Sequence, residues 1–168
     1  MTINTLVVYA ASAAMNAFLI VGASAQQAPV PNCSPVGGVI MTNFLTNTTT
    51  LGSVTGDLKG AVNAVVISAT GPQSNGMQTF VVRHTFVTES GDVIETKPST
   101  ALVLPIQPNT RVAVAGIYYE RMDIDKGTGK FLGATGSMRV IGSANFATGE
   151  TVFRYTGQVC TAAGGKAE

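Results

Sequence analysis

Few side chains in this sequence can do acid–base chemistry, and the clearest is its single histidine, His84. It lies between Val82 and Phe86 on the apolar face of a segment with alternating residue types, so we expect it to point into a core or a cavity. There it can act as a general base or as a hydrogen-bond donor to a ligand. The alternative is a histidine that is satisfied within the fold or lies at a rim, and the sequence leaves both open.

Glu120 is the second candidate, in the stretch I-Y-Y-E-R-M-D-I-D. A period of two groups it with Tyr118, Met122 and Ile124 on one apolar-leaning face. A carboxylate removed from water on such a face has a raised pKa and can shuttle protons. The alternative is an exposed glutamate beside Arg121.

The predicted catalytic pair is therefore His84 and Glu120. If this pair faces a cavity, large apolar and aromatic side chains on the same faces should contact the ligand, although tyrosines in barrels more often serve in packing. The predicted ligand-binding residues are Phe80, Phe86, Tyr118, Met122 and Tyr155.

Other kinds of chemistry find little support. The G-x-S-x-G motif is missing, and one histidine would have to serve any catalytic triad. One histidine and two distant cysteines do not give the ligand spacing that zinc needs, so we expect neither a metal nor a cofactor. Glu120 with Asp123 or Asp57 could form a carboxylate pair for sugar cleavage, but spacing along a sheet does not define the separation of two side chains.

The charge pattern argues against a nucleic-acid partner. Ten Lys and Arg are balanced by nine Asp and Glu, with no basic run. A protein that binds nucleic acid usually carries a clustered basic surface. We expect a small apolar molecule as a possible partner and no contact with a membrane after signal cleavage, and the oligomeric state stays open.

Beyond residue 25 the apolar residues recur with a period of two rather than 3.6. About eight such runs are separated by turn residues, for example G-P-Q-S-N-G and E-S-G-D. Short strands at this spacing imply a sandwich or an up-and-down barrel. A closed barrel has no exposed edges and fits strands with one apolar and one mixed face.

The glycine run D-K-G-T-G-K-F-L-G-A-T-G, from Asp125 to Gly136, is the most distinctive motif. A dinucleotide fingerprint would need glycine where Leu132 stands and a helix afterwards, and a P-loop motif is missing, so we exclude a phosphate-binding loop. We instead interpret the run as a bend in a sheet, with Phe131 packing into the core.

The segment G-T-G-K-F-L-G-A-T-G resembles the G-[ST]-G-x-F-x-G-[AV]-x-G signature of the allene oxide cyclase and dirigent-protein barrels, and of small exported bacterial proteins related to them. The family run is usually preceded by another glycine, whereas this chain has Lys126. G-D-L-K-G-A and F-R-Y-T-G-Q-V-C resemble an early and the last strand of the bacterial relatives. The resemblance implies an eight-stranded antiparallel barrel with an apolar cavity, in which the characterised enzymes confine a reactive intermediate and steer its cyclisation or coupling. It implies no catalytic residue for this chain.

The two ends of the chain indicate export. The first 25 residues contain no charged side chain, and A-S-A precedes Gln26, which suits a signal peptide cleaved after Ala25, although an uncleaved anchor is the alternative. Cys33 and Cys160 are then predicted to form a disulfide in an oxidising compartment, with two independent buried thiols as the alternative. Its loop exceeds a hundred residues, for which chain entropy gives about 4–5 kcal/mol.

The sequence thus predicts a secreted or periplasmic, all-β, eight-stranded antiparallel up-and-down barrel. Its predicted segments are a signal peptide (1–25), a linker (26–38), the barrel (39–160) and a disordered tail (161–168). Its expected function is to bind a small apolar or aromatic molecule and to guide an isomerisation or cyclisation without a cofactor. The alternatives are a non-catalytic barrel, in the envelope or secreted, with a structural or protein-interaction role, and a lipocalin-like carrier.

Overall fold

A computed structural model of the chain describes residues 31–74, 76–106 and 114–161. These residues form nine β-strands and two short 3-10 turns, Gly56–Leu58 and Gly129–Phe131, and no α-helix occurs among them. In chain order the strands are β1 (Asn32–Thr46), β2 (Thr49–Val54), β3 (Gly60–Ala69), β4 (Gln78–Thr88), β5 (Val93–Thr96), β6 (Ser99–Pro105), β7 (Val114–Gly127), β8 (Thr135–Asn145) and β9 (Glu150–Thr161).

The strands close into a barrel in which every pairing is antiparallel. The sheet order is β3-β2-β1-β9-β8-β7-β5-β4-β6, and the additional pairings β3–β4 and β7–β6 complete the ring. β5 and β6 follow each other along the same position between β4 and β7, separated by Lys97 and Pro98. Nine strands therefore occupy eight positions, and the predicted eight-stranded antiparallel up-and-down barrel is confirmed.

The alternation of side chains decides what lies inside. On β4, Val82, His84 and Phe86 are buried whereas Arg83 and Val87 are exposed. Much of the rest of the sheet shows the same alternation, because successive residues of a strand point to opposite faces of the sheet. The inward residues form one continuous hydrophobic core.

A bulge in β7 changes which residues face inward. Its register against β8 shifts between Tyr119 and Met122, both of which are buried. The two residues between them, Glu120 and Arg121, are both exposed. A bulge inserts an extra residue into one strand, so the parity of inward and outward positions changes across it. The predicted grouping of Glu120 with Met122 on one face is therefore wrong.

The glycine run ends β7, forms the Gly129–Phe131 turn and begins β8. Phe131 is buried in the core, as predicted. Gly129 and Gly136 have φ angles of +54° and +126°, which L-residues with a side chain rarely adopt. A Cβ at Gly136 would also collide with the carbonyl oxygen of Gln158 on β9. The run therefore turns the chain within a sheet, and the phosphate-loop interpretation stays excluded.

The chain ends are joined where β1 meets β9. Cys33 and Cys160 are directly opposite each other and form a disulfide with a Cα–Cα separation of 3.9 Å, so the predicted pairing is confirmed. β1 begins at Asn32, seven residues before the predicted start at Val39, so most of the described part of the predicted linker is strand. The predicted signal peptide and residues 162–168 of the predicted tail lie outside the described residues. In the part that is described, no helix is long and apolar enough to cross a membrane.

Candidate functional site

One end of the barrel is filled by large side chains. Phe86, Met122, Met138 and Tyr155 are each at most 1% exposed, and Leu58 from the first 3-10 turn packs among them. Interdigitated side chains of this size leave no room for a ligand. We call this the closed half.

The hydroxyl of Tyr155 stabilises the closed half through two hydrogen bonds to the backbone. It donates to the carbonyl oxygen of Thr55 at 2.9 Å and accepts from the N–H of Leu58 at 3.0 Å. Burial is the main cause that raises the pKa of Tyr155, and the charge of Asp57 raises it further, whereas the Leu58 hydrogen bond lowers it. The Tyr155 hydroxyl therefore anchors the Gly56–Leu58 turn, which closes this end of the barrel. Tyr155, a predicted ligand-binding residue, does not line the cavity at the opposite end.

The opposite end contains a cavity of about 570 Å³. It extends from the β1–β2 and β8–β9 hairpins down to the middle of β4 and β7. Several alanine and threonine residues leave this space open between the larger side chains of the wall. Among these alanines and threonines are Thr50, Ala64, Ala144 and Thr151.

Aromatic rings form much of the cavity wall. Phe44 and Phe146 stack across the rim with ring centroids 5.8 Å apart. Phe80 and Phe153 line the wall below them. None of the described residues that line the cavity carries a formal charge at neutral pH. The cavity is therefore suited to an uncharged, largely apolar molecule.

His84 lies at the inner limit of this cavity and is 7% exposed. Its ring packs edge-on against the ring of Tyr119, with centroids 5.2 Å apart, and lies 6.4 Å from that of Phe86. Its Nδ1 atom is buried and has no hydrogen-bond partner, and no other buried side-chain nitrogen or oxygen in the described residues is in this state. A polar atom left without a partner in a core is uncommon and needs an explanation.

The backbone of His84 is held by the break between β5 and β6. β4 pairs with β5 from Thr85 onward and with β6 up to Val82, so His84 lies between the two ladders. The hydroxyl of Thr96 accepts a hydrogen bond from the His84 N–H at 3.0 Å. The hydroxyl of Ser99 donates to the Val82 carbonyl at 3.3 Å. These buried hydroxyls replace the missing ladder bonds and fix the position of the imidazole.

Burial determines the protonation of both polar groups at the cavity's inner end. Loss of water around the imidazole lowers the pKa of His84 from 6.5 to about 4, so its ring is neutral at pH 7. Loss of water also raises the pKa of Tyr119 well above its usual value, so its hydroxyl stays protonated. The inner end therefore presents two neutral hydrogen-bonding groups and no charge.

A second depression, about 950 Å³ in volume, lies on the outer wall. Tyr118 and Glu120 line it, together with Arg121 and Asp123, whose side chains form an ion pair. Glu120 is exposed and lies on the opposite side of the barrel wall from His84. The two predicted catalytic residues are therefore not brought together.

The structure distributes the seven predicted site residues over three places. His84 and Phe80 line the cavity, Tyr118 and Glu120 lie on the outer wall, and Phe86, Met122 and Tyr155 fill the closed half. The main residue that the sequence reasoning missed is Tyr119, because the bulge places it, and not Tyr118, inside. No sequence signal marked this bulge.

Metal binding has no candidate in the described part of the chain, where no group of three His, Cys, Asp or Glu side chains could hold an ion. The buried hydroxyl pair of Thr42 and Thr151, 2.6 Å apart, is satisfied internally. What the site can do is bind a neutral molecule and offer it hydrogen bonds from His84 and Tyr119.

No family model matches the chain, and no curated protein matches it either. Among solved structures, the pterocarpan synthase dirigent protein PsPTS1 aligns at 14% sequence identity over 79% of this chain and 97% of its own, with a TM-score of 0.33. The pterocarpan synthase dirigent protein GePTS1 aligns at 13% identity over 82% of this chain and 90% of its own, also with a TM-score of 0.33. At these identities and TM-scores the alignments transfer no residue role to this chain.

Proposed function

We propose that this barrel binds a small, neutral, largely apolar molecule in its open half and holds it in one orientation. The observation that carries the proposal is the uncharged cavity of about 570 Å³, which is walled by aromatic rings and ends at His84 and Tyr119. Its volume falls within the range of about 300–1,000 Å³ that is usual for small-molecule sites. A barrel with a purely structural role would instead have its interior filled by side chains.

Confinement is the contribution that this cavity can make to a reaction. Rigid walls that hold a flexible molecule in one conformer favour a single course of cyclisation or isomerisation. His84 is a weak base in this setting, because its neutral form is strongly preferred. We therefore assign orientation and hydrogen bonding to the protein, and a carrier that binds the molecule without converting it is the alternative.

Two features support export of the protein and its relationship to a known group of barrels, which we include in the proposal. The Cys33–Cys160 disulfide favours an oxidising compartment, in keeping with an exported protein. The glycine run from Gly127 to Gly136 supports a relationship to allene oxide cyclase-like and dirigent barrels, including their small exported bacterial relatives.

The test is to fill the cavity. Ala64 faces it from β3, so Ala64→Phe places a ring inside the space. The matched control is Ala61→Phe, at an exposed position of the same strand. Binding is measured with the neutral fluorescent probe N-phenyl-1-naphthylamine, and circular dichroism checks the fold of each variant.

We expect wild type and Ala61→Phe to bind the probe with the same affinity and Ala64→Phe to lose binding. Equal binding by all three proteins would place the probe outside the cavity and refute the proposal. Failure of the wild type to bind any of a panel of neutral aromatic probes would refute it as well.

A further inference from the structure

The unpartnered Nδ1 atom of His84 determines where the proton of its ring resides. A neutral imidazole carries one N–H donor and one acceptor nitrogen. A buried donor without a partner is rarer in proteins than a buried acceptor without one. Because Nδ1 is buried without a partner, the favoured tautomer leaves Nδ1 as the bare acceptor and places the proton on Nε2.

The ring edge that contains Nε2 is then the one available to a ligand. His84 lines the cavity while its Nδ1 atom is sealed from solvent. The Thr96 hydroxyl bonds only the backbone of His84, so it does not compete for the ring. His84 thus offers an N–H donor at the inner end of an apolar space.

Tyr119 provides the second donor. Its ring lies edge-on to that of His84, and both residues line the cavity. No residue in the described ranges forms a hydrogen bond with its hydroxyl, in contrast to Tyr155, whose hydroxyl is occupied by two backbone groups. The hydroxyl can therefore turn towards a ligand.

Resting on the function proposed above, we propose that the cavity selects ligands with a neutral carbonyl group, such as a ketone or an enone, whose oxygen accepts hydrogen bonds from His84 Nε2 and the Tyr119 hydroxyl. Two donors at the same end of the cavity favour an acceptor oxygen, whose two lone pairs can accept from both. A hydrocarbon would leave both donors buried without a partner. A carboxylate would have to lose its hydration where no described lining residue is cationic.

Two such donors would also polarise the carbonyl. Preorganised donors in a site without water stabilise negative charge that develops on an oxygen. A bound enone would therefore become more electrophilic while its orientation stays fixed. This gives the inner end of the cavity an electronic role in addition to its shape.

The test compares three naphthalene probes of similar size: 2-acetonaphthone, its carbon analogue 2-isopropenylnaphthalene, and 2-naphthoate. Calorimetry gives the affinities, and infrared spectroscopy of the bound ketone gives its carbonyl stretching frequency. We expect the ketone to bind more tightly than the other two probes, with a carbonyl frequency below that in hexane.

The variants Tyr119→Phe and His84→Phe each remove one donor and keep a ring in place. Each should weaken binding of the ketone by about 2- to 12-fold, which corresponds to one hydrogen bond, and raise its carbonyl frequency. Binding of the carbon analogue should stay equal or improve. Tyr118→Phe is the matched control, because it removes the same hydroxyl from the outer wall, and it should change neither quantity.

The outcomes separate this inference from the function on which it rests. If the ketone and the carbon analogue bind equally well, or if the carbonyl frequency is the same in wild type and Tyr119→Phe, the inference fails and the binding cavity stands. Tighter binding of 2-naphthoate would also refute the inference. If no neutral probe binds, both proposals fail.

Discussion

The buried imidazole of His84 should make the protein less stable in mild acid, and the size of the effect follows from its pKa. Burial lowers this pKa from 6.5 to about 4. Between these two values the unfolded chain binds a proton that the folded chain does not, so the free energy of unfolding falls as the pH falls from about 6.5 to about 4. A difference of one between the pKa values of the folded and unfolded chain corresponds to about 1.4 kcal/mol. The free energy of unfolding should therefore fall by about 3 kcal/mol in total.

The assay uses His84→Phe, which keeps a ring in the core and removes the titrating group. His84 is the only histidine in the chain, so no second histidine contributes to the difference between the two proteins. Urea unfolding at several pH values between 7 and 4 gives the free energy of unfolding of each, and the contributions of the carboxylates cancel in the difference. We expect wild type to lose about 3 kcal/mol more than the variant over this range.

A direct measurement does not depend on the variant. The single histidine gives one Hε1 resonance, and its chemical shift against pH reports the pKa in the folded protein. A value of 6 or above, or a difference in unfolding free energy that does not change with pH, would refute the burial of a neutral imidazole. Tyr119, the titratable side chain that packs against this ring, stays protonated throughout the range because its pKa is raised.

Two further substitutions test the frame around the cavity. Tyr155→Phe leaves two backbone groups of the plugging turn without their partner, so we expect a loss of about 1–3 kcal/mol in urea unfolding, whereas Tyr118→Phe on the outer wall should change stability little. Equal effects would show that the Tyr155 hydroxyl does not hold the closed half. Gly136→Ala combines a strained φ of +126° with a collision against Gln158, so it should lower the melting temperature markedly. Gly71→Ala, where a Cβ meets nothing within 4 Å, should not, and a harmless Gly136→Ala would contradict the role given to the glycine run.

The residue pattern predicts the all-β class of the fold, and the resemblance of the glycine run favours a closed barrel over a sandwich. Alternation of apolar and polar residues is a property of the backbone of each strand, so it can be read locally. The glycine run also marked the turn between β7 and β8 locally, because few residues other than glycine adopt positive φ angles. The disulfide was predicted from two cysteines and an expected export to an oxidising compartment, and the inward direction of His84 followed from its neighbours Val82 and Phe86.

Tertiary structure alone decided which residues share the site. The bulge in β7 depends on how that strand pairs with β8. With this bulge, Tyr119 rather than Tyr118 faces inward, and Glu120 lies on the outer wall. The division into a closed and an open half depends on the side chains that meet at one height from all eight positions. Phe86 and Tyr155, whose rings pack 6.4 Å apart, fill one level, whereas small residues such as Ala64 leave the next level open. Which side chains lie at the same level is set by the register between strands that are distant in sequence. The periodicity within one strand contains no information about this register.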